Sequence, residues 1–72
     1  SVALYVGGVI NSAGPRVVIV EDHPVFREGL RRILTESSGA QVIALAGSVP
    51  EGLPIILTQQ PDVVVVDLGL PG

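Results

Sequence analysis

Two unbroken β-branched runs constrain this chain more than any other feature: Val17-Val18-Ile19-Val20, closed by Glu21-Asp22, and Val63-Val64-Val65-Val66, closed by Asp67. A strand with one wet face alternates apolar and polar residues. A continuous apolar run marks a strand covered on both faces, and such strands belong mostly to parallel sheets. Between them, Gln41-Val42-Ile43-Ala44-Leu45-Ala46 reads as another buried strand. The segment from His23-Pro24 reads as a helix, with Asp22 or His23 in N-cap territory, proline at an early position, and Ser37-Ser38-Gly39 as the stop. Phe26, Leu30, Ile33 and Leu34 recur at helical spacing on one face, while Arg27, Glu28, Arg31, Arg32 and Glu36 fall largely on the other. On this reading Phe26 is core, Gly29 permits close helix packing, and the arginines form a solvated face. Ser48 and Glu51 make a capping box for a second helix. Pro54 removes a backbone hydrogen bond at a cost of about 3 kcal/mol, so that helix is expected to be short or kinked, beginning near Pro54 and ending near Gln60. The resulting order, β-α-β-α-β, implies a parallel sheet with right-handed helical crossovers.

Length and composition bound what such a sheet can do. Seventy-two residues allow one small domain, and a chain of this size buries only about 60% of its unfolded surface. Apolar residues at 47% and charged residues at 15% exclude a disordered charged tail. Four basic residues, all arginine, against seven carboxylates give a net charge of −3, so the basic footprint of a nucleic-acid binder is missing. With no cysteine, neither disulfides nor a thiolate metal site can supplement the core. The apolar stretch over residues 2–10 is about half the roughly 20 residues of a membrane span and has no basic flank, which points to a soluble chain. Residues 1–15 carry no charge, and the composition breaks at Asn11-Ser12-Ala13-Gly14-Pro15. Two parts are therefore expected: residues 1–15 as an uncharged leader or extra edge strand, and residues 16–72 as the α/β unit.

In open α/β sheets, ligands bind outside the carboxyl ends of the strands, where Glu21, Asp22 and Asp67 fall. Three converging carboxylates repel one another unless a cation sits among them or some stay protonated. Oxygen-only ligation selects magnesium or manganese, and magnesium typically binds one or two carboxylates plus a phosphate. A carboxylate beside such a metal is also a nucleophile toward phosphorus, yielding an aspartyl-phosphate. The plainer alternative is that these acids are solvated helix caps and turn formers. His23, beside two carboxylates and before proline, reads as a helix-start residue without chemistry.

The stretch from Val17 through Glu21-Asp22-His23-Pro24-Val25-Phe26-Arg27-Glu28-Gly29-Leu30, together with Pro61-Asp62-Val63-Val64-Val65-Val66-Asp67-Leu68-Gly69-Leu70-Pro71-Gly72, resembles the first and third strand motifs of bacterial response-regulator receiver domains, nearest the NarL/FixJ type. The resemblance covers residues 16–72 and implies the first half of a flavodoxin-like (CheY-like) fold, whose full sheet has the order 2-1-3-4-5. It implies Asp67 as phosphoacceptor and Asp22, Glu21, Asp67 and the Gly69 carbonyl as ligands of Mg2+ or Mn2+, with Pro71 and Gly72 shaping the following loop. A histidine kinase as phosphodonor, a cytoplasmic location and a transcriptional output domain follow in the same way. The family's lysine at the end of the fifth strand and its serine or threonine at the end of the fourth have no counterpart here: the chain has no lysine, and Thr35 and Thr58 lie on the wrong elements. Self-catalysed phosphorylation is therefore expected to be impaired, which leaves a non-catalytic receiver-like interaction module as the alternative. A nucleotide- or flavin-binding half-domain fits poorly, since no Gly-x-Gly-x-x-Gly follows the first strand. The third strand would present an apolar edge, to be covered by residues 2–6 or by another copy of the chain.

Overall fold

The structure, a computed structural model, describes residues 2–7 and 14–68, and for residues 2–6 the backbone. Its elements are β1 (Val2–Val6), β2 (Arg16–Glu21), α1 (Pro24–Ser38), β3 (Gln41–Ala46), α2 (Val49–Gln59) and β4 (Val63–Asp67). They form one sheet of order β1-β4-β2-β3. β2 is parallel to both β3 and β4, as two helical crossovers require. β1 runs antiparallel to β4, from Val2 opposite Asp67 to Val6 opposite Val63. The expected extra strand thus covers the edge of β4 from within the chain. It takes the place of the family's fourth strand with the direction reversed.

Alternation along β2 divides the core into two layers. Val17 and Ile19 meet Leu30 and Leu34 of α1, while Val18 and Val20 share a layer with Ile55 and Ile56 of α2. Residues 17–20 are at most 2% exposed, as the continuous β-branched run required. α1 opens on Pro24 after His23, whose side chain makes no capping hydrogen bond, and stops at Gly39 in the left-handed conformation (φ 70°). Two readings of α1 need correction. Phe26 and Ile33 are each 61% exposed rather than core, because only the Leu30–Leu34 flank faces the sheet. Nor does Gly29 serve close packing, since a methyl group there would meet nothing within 4 Å.

α2 likewise departs from expectation, starting at Val49 and carrying Pro54 inside it. Its N-terminus is held well enough to extend past the proline. The Ser48 hydroxyl accepts from the Glu51 N–H (3.3 Å), the Glu51 carboxylate accepts from the Gly47 N–H (3.2 Å), and Gly52 donates to the Ser48 carbonyl (3.0 Å). At the opposite end of the parallel strands, Asp62 joins three segments. Its N–H donates to the Arg16 carbonyl, its carboxylate accepts from the Arg16 N–H (2.9 Å each), and its carbonyl accepts from the Gly7 N–H (2.7 Å).

Candidate functional site

The carboxyl ends of β2 and β4 lie side by side, with Glu21 and Asp67 as register partners. Directly paired residues in a sheet project to the same face. For this pair it is the α1 face, since Val17 and Ile19, four and two residues before Glu21, pack there together with Val63 and Val65. Glu21 is 1% exposed. One carboxylate oxygen, Oε1, accepts from the His23 N–H at 2.9 Å, whereas the buried Oε2 has no hydrogen-bond partner among the described residues. A buried acceptor left in that state costs about 1–3 kcal/mol, and more when charged.

Asp67 is half-buried and closes one end of an open groove of about 490 Å³ otherwise lined by Val25, Phe26, Gly29, Leu30 and Ile33 of α1. Asp22 follows Glu21 on the two-residue connection into α1 and is exposed. The three carboxylates therefore stand differently: Glu21 and Asp67 adjoin on one face, and Asp22 sits at the rim. Among the described residues, no three His, Asp or Glu side chains come close enough to enclose a metal ion. Gly69, Pro71 and Gly72, expected to complete the site, lie outside the described residues. His23 is an exposed helix-start residue, its ring 4.6 Å from that of Phe26.

One site residue was missed by reading the sequence. Arg27, expected on the solvated face with Arg31 and Arg32, is half-buried, and its guanidinium donates to the Glu21 carbonyl at 3.1 Å. Its position, one turn into the helix on the strand side of Leu30, was the signal available. Arg31 and Arg32 do stay on the outer surface, paired with Glu28 and Glu36.

An open α/β sheet with acids at the ends of two adjacent parallel strands defines a class of protein that works at its strand termini. The family model of the response regulator receiver domain matches residues 17–72, and the chain belongs to that family. Among curated proteins it is 32% identical over 57 residues to the nitrate/nitrite response regulator protein homolog of Haemophilus influenzae, a match covering 79% of this chain and 27% of that protein. It is 40% identical over 57 residues to the response regulator GacA of Pseudomonas viridiflava, covering 79% and 27%. It is also 40% identical over 57 residues to the probable transcriptional regulatory protein NarL of Mycobacterium tuberculosis, covering 79% and 26%. The chain thus spans about a quarter of the length of these relatives. No solved structure matches. Among the described residues no helix is long and apolar enough to cross a membrane.

Receiver domains generally bind Mg2+ through acidic residues. The donor set here fits such a hard cation: it is all oxygen, and it contains a buried carboxylate oxygen that no group among the described residues satisfies, beside a second carboxylate.

Proposed function

We propose that this chain is the phospho-accepting portion of a response regulator, with Asp67 as the acceptor and Glu21, Asp22, Asp67 and the Gly69 carbonyl as the groups that hold Mg2+ or Mn2+. The observation that carries this reading is the Glu21–Asp67 register pair with the unsatisfied Glu21 Oε2 beside it. A bound divalent cation would neutralise charge on the phosphoryl oxygens. The chain's own residues supply the rest. The Asp67 carboxylate is the nucleophile, and a phosphohistidine of a histidine kinase loses its P–N bond as the Asp67 O–P bond forms. Glu21, fixed by the His23 N–H, keeps one oxygen directed away from that hydrogen bond. Pro71 and Gly72 are assigned to shaping the loop that follows. The chain acts as a stoichiometric acceptor rather than a turnover enzyme; a transcriptional regulatory role is what the name of its Mycobacterium tuberculosis relative supports, and a cytoplasmic location belongs to the same reading.

A second reading, a docking module without phosphoryl chemistry, is favoured by one specific observation. The chain has no lysine, and both threonine hydroxyls are committed to helix backbone, Thr35 to the Arg31 carbonyl (2.7 Å) and Thr58 to the Pro54 carbonyl (2.8 Å). Incubation with Mg2+ and acetyl phosphate, followed by intact mass measurement, separates the two. A phosphoryl adduct that disappears in Asp67→Asn is expected for the acceptor. A chain that binds Mg2+ yet stays unmodified after prolonged incubation would overturn the acceptor reading and favour the docking module.

A further inference from the structure

Glu21 is gripped at two points. The His23 N–H holds Oε1 of its carboxylate at 2.9 Å, and the Arg27 guanidinium, through Nη1, holds its backbone carbonyl at 3.1 Å. Both donors come from the segment that follows Glu21, so the strand end, the two-residue connection and the first turn of α1 close on a single residue. The same Nη1 lies 3.1 Å from where a methyl group on Gly47 would project, which places the guanidinium across the carboxyl ends of β2 and β3. Arg27 therefore stands on the β3 side of Glu21, opposite Asp67 on the β4 side.

Resting on the phospho-acceptor reading, we infer that Arg27 is a positioning residue for the cation site. By fixing the peptide between Glu21 and Asp22, it sets where both carboxylates issue from the backbone. Two features separate this role from a simple tether between helix and strand. The contact falls on the one peptide group that joins the two candidate ligands, so rotating that peptide displaces both together. In addition, Glu21 Oε2 has no partner among the described residues, so its direction there depends on its backbone and on the single bond to Oε1. Groups that orient ligands without touching the ion typically account for 10–100-fold in metal affinity.

The test uses the chain with Mg2+ alone, titrated by amide NMR in the native sequence, Arg27→Ala, Arg27→Lys and Asp67→Asn. Arg27→Ala is expected to move the Asp22 amide resonance before any cation is added and to weaken Mg2+ binding about tenfold, while amides in the middle of β4 stay in place. Arg27→Lys, which keeps a donor, is expected to recover part of that affinity. Gly47→Ala retains the arginine but crowds Nη1, and should weaken binding by a smaller factor in the same direction. Unchanged affinity and an unmoved Asp22 amide in Arg27→Ala, alongside weakened binding in Asp67→Asn, would overturn the role of Arg27 and leave the acceptor reading intact. Absence of Mg2+ binding by the native chain would instead remove that reading, and this inference with it.

Discussion

Gly29 and Gly52 are both helical, and the same substitution to alanine should act on them with opposite sign. In a helix interior, alanine gains about 1 kcal/mol over glycine by restricting the unfolded chain. At Gly29 nothing lies within 4 Å of the new methyl, so Gly29→Ala should be stabilising by about that amount. At Gly52 the methyl would stand 2.9 Å from Val20 Cγ2 and 3.5 Å from the Ala46 methyl. Val20 is 1% exposed and β-branched, so it can neither rotate nor retreat. Overpacking of this kind costs about 1–3 kcal/mol, which exceeds the propensity gain and leaves Gly52→Ala about 1 kcal/mol less stable than the native chain. The two variants should then differ by about 2 kcal/mol, or about 10 °C in melting temperature for a domain of this size. Thermal and urea unfolding followed by circular dichroism measures both. A Gly52→Ala variant as stable as Gly29→Ala would mean that α2 does not press on β2 as closely as the structure has it, and the two-layer core would need revision.

Four other predictions follow from contacts already described. Ser48→Ala removes the N-cap acceptor of α2 and should cost about 1 kcal/mol in urea unfolding. Asp62→Ala leaves the Arg16 N–H without its side-chain acceptor and should cost about 1–3 kcal/mol, whereas Asp62→Asn, which retains a carbonyl oxygen, should cost less. Glu28, hydrogen-bonded by Arg31, has its carboxyl held below its ordinary value of 4.5. Its contribution is therefore present above that pH and is lost as the pH falls through the depressed value; Arg31→Gln should move the Glu28 NMR titration upward, and an unmoved midpoint would discount the pair. Deleting residues 1–7 strips the cover from the β4 edge and should produce concentration-dependent association in light scattering. A monomer of native stability would show that β1 protects nothing.

Much of the fold was legible because it rests on period. The two runs ending at Glu21 and Asp67 read as strands of a parallel sheet, and the stop at Gly39 announced itself through the one residue type at ease with φ 70°. What the periodicity could not convey was which flank of a helix faces the sheet. Phe26 and Leu30 share an apolar face in the helical pattern, yet only Leu30 is drawn inward, because α1 lies over β2 and β3 and its Phe26–Ile33 flank overhangs a groove beside β4. Pro54 misled for a related reason. Its local cost is set against cooperative capping at Ser48 and against burial of Ile55 and Ile56, and tertiary packing outweighs propensity there. At the site, the carboxylates could be named from their places after strands. The bond from Arg27 to the Glu21 carbonyl could not, because a backbone acceptor leaves no mark in the sequence.

The direction of β1 determines what the chain can bring to Asp67. A parallel strand on the same edge would place its carboxyl end, the end that carries chemistry in such sheets, beside the acid. An antiparallel strand brings its amino end instead, and the residue in register with Asp67 is Val2, whose side chain has neither a hydroxyl nor an ammonium group. The single hydroxyl in β1, on Tyr5, belongs to a residue registered with Val64, three residues away along β4. β1 can therefore complete the hydrogen bonding of the β4 edge without supplying the cationic or hydroxyl groups that would assist phosphoryl transfer. Closing the sheet and equipping the site are separate tasks, and this segment performs only the first. With no such group brought from β1, phosphorylation of Asp67 should be slow even when Mg2+ binds well.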